Sequence, residues 1–113
     1  MNTRKVGSEY EQRAAEYMRR NGMRVLEMNY SCRQGEIDII GKESDYLLFV
    51  EVKYRKDKKL GYPIEAVTPA KQSRILQTAR YYLYSHQLPE STKLRFDVIS
   101  ILGEDITYYR NVF

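Results

Sequence analysis

The most apolar stretch of the chain runs from Tyr46 to Tyr54, with the sequence Tyr-Leu-Leu-Phe-Val-Glu-Val-Lys-Tyr. Apolar residues fall on both faces of this run, which is typical of a central strand that is covered on both sides. The pattern therefore predicts an α/β fold in which one sheet lies between helices. The chain has 113 residues, and this length fits a single domain over residues 1–113.

Two helices and four further strands are predicted around this central strand. The first helix covers about Lys5 to Asn21, where apolar residues recur at spacings of three and four. The second begins at Thr68-Pro69, an N-cap followed by a proline at the first helical position, and ends near Ser85. The order α-β-β-β-α-β-β gives a five-stranded mixed sheet, with a parallel crossover through the second helix. The further strands are predicted at Arg24–Tyr30, Glu36–Ile40, Lys93–Leu102 and Asp105–Val112.

Composition excludes several classes of protein. One Cys and one His provide neither an internal disulfide nor a cysteine-clamped zinc site. The sequence contains no apolar run long enough to span a bilayer and no apolar core of a secretory signal, so we expect a cytoplasmic protein. The 19 Lys and Arg exceed the 15 Asp and Glu, for a net charge of +4. This balance is compatible with a polyanionic partner but does not by itself indicate one.

Two charged residues interrupt the central strand. Glu51 and Lys53 are two apart, so on a strand they point to the same face. Asp38 interrupts the preceding strand between two isoleucines, and a hairpin would bring it close to Glu51 near the strand ends. Two carboxylates beside a lysine suit a hard divalent cation that acts on phosphate, with the lysine assisting the attacking water. The alternative interpretation is a structural ion pair at the end of a strand.

Basic residues follow this strand and return on the second helix. Five of the seven positions from Lys53 to Lys59 are basic, and Arg55 shares the face of Lys53. This segment could bind a nucleic-acid backbone or be an ordinary solvated loop. Arg74 on the second helix would extend the same track. The candidate nucleic-acid-binding residues are Arg55, Lys56, Lys58, Lys59, Lys71, Gln72 and Arg74.

Other polar and aromatic residues favour structural roles. Asp97 interrupts an apolar strand, and we interpret it as a buried partner of a basic residue. Tyr81, Tyr82 and Tyr84 cluster at the end of the second helix, where packing or a dimer contact is favoured over base stacking.

Two blocks of sequence make the chain resemble a known group of enzymes. Gly35-Glu36-Ile37-Asp38 and Phe49-Val50-Glu51-Val52-Lys53-Tyr54-Arg55 resemble the motif of the PD-(D/E)xK nuclease superfamily, with isoleucine in place of the proline before the aspartate. The wider pattern looks like the YraN family of small, largely uncharacterised bacterial proteins, which are similar to archaeal Holliday-junction resolvases. It also includes Gly7, Glu11, Gly61, Lys71-Gln72 and Arg95-Phe96-Asp97-Val98.

The resemblance implies a restriction-endonuclease-like core and a metal-dependent nuclease. Asp38 and Glu51 would be the principal metal ligands, Glu11 a peripheral metal or water ligand, and Lys53 the catalytic lysine. The cofactor would be Mg²⁺ or Mn²⁺, and the substrate DNA, branched DNA included. A homodimer is expected by analogy with resolvases. Two alternatives remain open: a non-catalytic nucleic-acid-binding module with the same fold, and a protein-interaction domain whose charges form structural ion pairs.

Overall fold

The computed structural model describes residues 3–57, 59 and 67–113, and these residues form a sheet with a helix on each face. The elements appear in the predicted order α-β-β-β-α-β-β, which confirms the expected fold class, a restriction-endonuclease-like α/β core. The elements are α1 (Thr3–Arg20), β1 (Arg24–Cys32), β2 (Gly35–Glu43), β3 (Tyr46–Arg55), α2 (Pro69–Ser85), β4 (Lys93–Leu102) and β5 (Asp105–Tyr109).

The five described strands lie in the order β1-β2-β3-β4-β5, so consecutive strands are neighbours. β3 and β4 are parallel, with register pairs from Tyr46–Lys93 to Arg55–Leu102, and the other neighbouring pairs are antiparallel. The segment that contains α2 connects the two parallel strands, as predicted, because a parallel pair needs a crossover rather than a tight turn.

The central strand β3 is covered on both faces. Leu48, Val50 and Val52 pack in one core layer with Ala14 and Met18 of α1. On the other face, a second core layer joins β3 to α2; its members include Leu47, Phe49, Ile75, Ala79 and Tyr82. Burial on both sides explains why the strand carries a nearly continuous apolar sequence.

The ends of two elements are explained by local hydrogen bonds. The Oγ1 atom of Thr68 accepts a hydrogen bond from the backbone N–H of Lys71 at 3.3 Å, which is the predicted N-cap of α2. β5 ends at Tyr109, earlier than the sequence predicts. Asn111 has a φ of 54°, and its backbone N–H donates to the Asp97 carboxylate at 2.9 Å, so this residue leaves the strand ladder.

No helix in the described part of the chain is long and apolar enough to cross a membrane.

Candidate active site

The candidate site lies where β2 separates from β3. The ladder between these strands runs from Glu43–Tyr46 to Ile39–Val50. Beyond it, the Oδ2 atom of Asp38 accepts a hydrogen bond from the backbone N–H of Val52 at 2.8 Å. The Asp38 side chain therefore accepts the Val52 N–H hydrogen bond that β2 would accept if the two strands stayed paired. This bond holds Asp38 against the segment of β3 that carries Glu51.

At the same point, the side chains of the β1–β2 hairpin change the face of the sheet on which they pack. Ile39 packs in the core layer of α1, whereas Ile37, two residues earlier, packs in the layer of α2. Their partners on β1, Met28 and Tyr30, divide between the two layers in the same way. Between these partners lies Asn29, whose φ of 56° is left-handed. Sequence reasoning missed Asn29, although asparagine enters this conformation more readily than most residue types.

Glu51 and Lys53 face the same side of β3, as their spacing predicts. The Lys53 Nζ atom lies 3.0 Å from the Glu51 Oε1 atom, and their side chains are 18% and 15% exposed. This pair is largely shielded from water, so the attraction between the two charges is stronger than in an exposed pair.

Negative charge is concentrated around Asp38. Burial, followed by repulsion from Glu51, raises the pKa of Asp38 from 3.8 to about 8, although the hydrogen bond from Val52 acts in the opposite direction. Burial also raises the pKa of Glu11, with smaller contributions from Glu51 and Glu36. Glu11 on α1, Asp38 on β2 and Glu51 on β3 therefore interact electrostatically across three elements.

The donor chemistry of this site fits a hard divalent cation. In the described residues, no three His, Cys, Asp or Glu side chains already form a ligand cluster. Mg²⁺ typically uses only one or two carboxylates and completes its shell with water and substrate oxygens. Asp38 and Glu51 supply two carboxylates whose mutual repulsion a cation would relieve.

A cavity of about 300 Å³ opens beside Glu51, lined by Gly35, Glu36, Glu51, Lys71, Arg74 and Ile75. Burial alone would lower the pKa of Lys53, but its charged neighbours, Glu51 and Asp38 among them, outweigh burial and raise the pKa. The contact with Lys53, followed by burial, lowers the pKa of Lys71. Two lysines therefore meet at the edge of the carboxylate site.

Comparison with known proteins now assigns the chain to a family. A sequence model of the Uncharacterised protein family UPF0102 matches residues 10–101. The chain belongs to the UPF0102 family. This is the YraN family that the sequence motifs indicated, so that prediction is confirmed.

Curated UPF0102 proteins resemble the chain over almost its whole length. The UPF0102 protein of Lachnoclostridium phytofermentans is 50% identical over 113 residues, which cover 100% of this chain and 96% of that protein. A UPF0102 protein of Fusobacterium nucleatum is 42% identical over 99% of this chain and 93% of its own length. One from Vibrio vulnificus is 42% identical over 96% of this chain and 91% of its own length.

The predicted nucleic-acid-binding residues of this UPF0102 chain differ in exposure and in whether they line the cavity. Arg55 is half-buried at the end of β3, and Lys56 and Lys59 are exposed after it. Lys58 lies outside the described residues, as does Gly61 of the family pattern. Gln72 is not among the residues that line the cavity; its side-chain amide donates to the Val67 carbonyl at 3.3 Å. Among the candidates within the described residues, the structure brings Lys71 and Arg74 to the cavity beside Glu51.

Asp97 is a buried partner of a basic residue, as the sequence analysis interprets it. It is fully buried, and both of its carboxylate oxygens accept hydrogen bonds from the Arg95 Nε atom at 3.0 Å. The Tyr108 hydroxyl and the Asn111 backbone N–H also donate to this carboxylate. Arg95 in turn contacts Glu43 at 2.9 Å. In this UPF0102 protein the network joins the end of β2 to β4 and β5.

Proposed function

We propose that this UPF0102 protein is a metal-dependent endonuclease, of the resolvase-like type, that binds DNA and hydrolyses phosphodiester bonds with Mg²⁺ or Mn²⁺. The carrying observation is the meeting of Asp38 and Glu51 where β2 separates from β3, with Lys53 at 3.0 Å from Glu51. Repelling carboxylates are costly to hold together, and a bound cation would offset that cost.

Each residue of this set has a defined part in the proposed reaction. Asp38 and Glu51 would hold the cation, and Glu11 would bind it or one of its waters from α1. The cation would lower the pKa of a bound water and neutralise charge on the phosphate. Lys53 keeps its proton, because its pKa is raised, so it would orient the attacking water by hydrogen bonding or stabilise negative charge on the phosphate.

Phosphate binding is assigned to the basic side chains around the cavity. Lys71 and Arg74 lie on the first turns of α2 beside Glu51, where they would contact the DNA backbone next to the scissile bond. The segment that begins at Arg55 would extend this contact along the strand; its further members are Lys56, Lys58 and Lys59. Gln72 would support the start of α2, since its amide bonds to Val67.

A non-catalytic nucleic-acid-binding module is the second candidate. The ion pair between Glu51 and Lys53 favours it, because these two charges already satisfy each other without a cation. This candidate predicts DNA binding that survives in EDTA and is unaffected by loss of the Lys53 charge. A protein-interaction domain would instead bind no DNA at moderate salt.

The decisive experiment is a cleavage assay on labelled linear duplex, single-stranded, flap and four-way-junction DNA, with Mg²⁺, Mn²⁺ or EDTA. Asp38→Asn removes one ligand charge but keeps an oxygen that can accept the Val52 hydrogen bond, and Lys53→Met keeps much of the side-chain length. Each should lower the cleavage rate by roughly 100-fold or more. Lys42→Met, an exposed lysine near the far end of β2, is the matched control and should cut normally.

The outcomes separate the candidates. Metal-dependent cutting that both site variants abolish supports the nuclease, and the preferred DNA identifies the substrate class. Binding without cutting in either metal supports the binding module. A protein that neither binds nor cuts DNA would contradict both candidates.

The proposal also includes a cytoplasmic homodimer, since paired nicks across a junction need two sites. Analytical ultracentrifugation, with and without DNA, tests the dimer.

A further inference from the structure

The C-terminal half of α2 carries a group of exposed apolar side chains. Tyr84 is 82% exposed, the highest value among the large hydrophobic residues of the described chain, and Leu76 is 42% exposed. Leu76 precedes Leu83 and Tyr84 by about two helical turns, so these three side chains lie along one side of α2. Single exposed apolar residues are ordinary on a protein surface, but a contiguous group of them marks an interaction site.

A cavity of about 720 Å³ lies within this group, between the end of α2 and the start of β4. The side chains around it that carry the argument are Arg80, Leu83, Tyr84, Leu88, Glu90 and Leu94, and we call them the α2 end surface. Tyr84 lines the cavity although most of its side chain lies in solvent. The surface therefore combines an exposed aromatic ring with a recess that is larger than one tyrosine side chain.

The shape of this surface is fixed by the hydrogen bonds that end α2. Gln87 has a left-handed φ of 53°, and its backbone N–H donates to the Tyr84 carbonyl at 3.1 Å. The backbone N–H of Leu88 donates to the Leu83 carbonyl at 3.0 Å, which completes a Schellman motif. The motif holds Leu88 against the last turn of the helix. A surface that is formed in advance loses little conformational entropy when a partner binds.

The charges of the α2 end surface identify the partner that fits it. Arg80 and Glu90 both line the cavity and are exposed, and neither forms an ion pair within the described part of the chain. In a twofold interface, every contact between two different residues occurs twice, once in each direction. Arg80 of each copy can therefore pair with Glu90 of the other, and Tyr84 of each can enter the cavity of the other. The surface supplies both sides of each contact, so a second copy of this chain fits it.

We propose that the α2 end surface is the interface between two copies of this chain, with Tyr84 of each copy in the cavity of the other and Arg80 opposite Glu90. The inference rests on the proposed function, because it assigns the homodimer of that function to a defined surface. Lys71, at the candidate site, lies about 20 Å from Tyr84 along α2. This interface therefore leaves both candidate sites open to DNA.

Sedimentation velocity of the full chain, without DNA or metal, tests this interface without relying on cleavage. The wild type should be a dimer at micromolar concentration. Tyr84→Ser removes the exposed ring from both halves of the interface, so it should raise the Kd of the dimer about 100-fold or more. Tyr109→Ser removes an exposed tyrosine of β5, outside the α2 end surface, and should leave this Kd unchanged.

An exchange of charges tests the twofold arrangement. Arg80→Glu and Glu90→Arg each place like charges opposite one another at two symmetry-related positions, so each should raise the Kd of the dimer about tenfold or more. The variant that carries both changes restores opposite charges and should dimerise nearly as tightly as the wild type. Glu104→Arg makes the same change of net charge in the exposed turn before β5 and should leave the Kd unchanged.

The possible results are distinguishable. A wild type that is monomeric at every concentration tested overturns the interface, and so does a dimer that Tyr84→Ser and the single charge variants leave intact. A double charge variant that dimerises no better than the single variants also overturns the proposed arrangement. The nuclease is measured separately by cleavage. A dimer that responds as expected but cuts no DNA therefore supports this interface while the proposed chemistry fails.

Discussion

The Asp38 carboxylate accepts a 2.8 Å hydrogen bond from the backbone N–H of Val52, at the point where β2 leaves β3. Val52 lies between Glu51 and Lys53, so this one bond ties a candidate ligand on β2 to the strand that carries the other two charged groups. It also satisfies a donor that would otherwise lose its partner where the ladder stops. The geometry of the site therefore depends on the hydrogen bonding of the sheet. Substitutions in the site or in the sheet should change stability or binding in ways that can be measured.

The raised pKa of Asp38 predicts a pH-dependent stability. The pKa rises from 3.8 to about 8 on folding, so between these values the folded chain binds more protons than the unfolded chain. The contribution of Asp38 to stability is thus fully present below about pH 4 and is lost as the pH rises through about 8. Asp38→Asn carries no charge at any pH, so it should lack this loss of stability and should exceed the wild type in stability above pH 8.

Urea unfolding in EDTA, at pH values below, between and above these limits, measures this difference. Asp105→Asn, at the exposed start of β5, is the control and should follow the pH dependence of the wild type. Equal pH dependence in wild type and Asp38→Asn would contradict the raised pKa. Adding Mg²⁺ should restore stability to the wild type mainly at high pH, because the ionised carboxylates bind the cation.

Phosphate contacts at the cavity should appear in the salt dependence of DNA binding. Lys71 and Arg74 both line the cavity beside Glu51. If each contacts one phosphate of a duplex, Lys71→Ala and Arg74→Ala should each reduce the slope of log K against log salt by about 0.9. Fluorescence anisotropy in EDTA, with Lys42→Ala as the surface control, measures these slopes. A slope that changes as much in Lys42→Ala as at the cavity would place the DNA elsewhere.

Gly35 is predicted to be intolerant of any side chain. A Cβ atom at this position would lie 2.9 Å from the Thr78 Oγ1 atom, and the φ of 151° is unfavourable for other residues. Thr78 is fully buried and donates to the Arg74 carbonyl at 2.7 Å, so its hydroxyl cannot move away freely. Gly35→Ala should destabilise the fold by about 2–4 kcal/mol through strain and overpacking together.

Gly22 provides the comparison for this substitution. Its φ is also positive, at 83°, but a Cβ atom there would meet nothing within 4 Å. Gly22→Ala should therefore cost only the backbone penalty, about 1 kcal/mol. Chemical denaturation of both variants isolates the contact with Thr78. Similar losses of stability in the two variants would show that the start of β2 shifts to accommodate the added methyl group.

The network around Asp97 is predicted to support the fold and not the chemistry. Tyr108→Phe removes one donor to a fully buried carboxylate and should cost about 1–2 kcal/mol. Asp97→Ala leaves Arg95 with one of its two carboxylate partners and should cost about 3–5 kcal/mol. Calorimetric unfolding measures both losses. Tyr108→Phe should retain the Mn²⁺ affinity of the wild type, and a marked loss would connect this network to the metal site.

Much of this architecture was predictable from local sequence patterns. The run from Tyr46 to Tyr54 predicted a central strand because apolar residues on both faces need cover on both sides. Thr68 and Pro69 predicted the start of α2, since capping depends on neighbours a few residues apart. The shared face of Glu51 and Lys53 follows from the two-residue period of a strand, and the structure pairs them at 3.0 Å.

What the sequence alone determined was the set of elements, their order along the chain and the charged residues on them, because these follow from short-range periodicity and turn chemistry. Only the tertiary structure decided how the carboxylates meet. A regular alternation would place Ile37 and Ile39 on one face, but the left-handed backbone at Asn29 accompanies their division between the two core layers. Such a break is stabilised by contacts with α1 and β3, which are distant in sequence, so no local pattern predicts it.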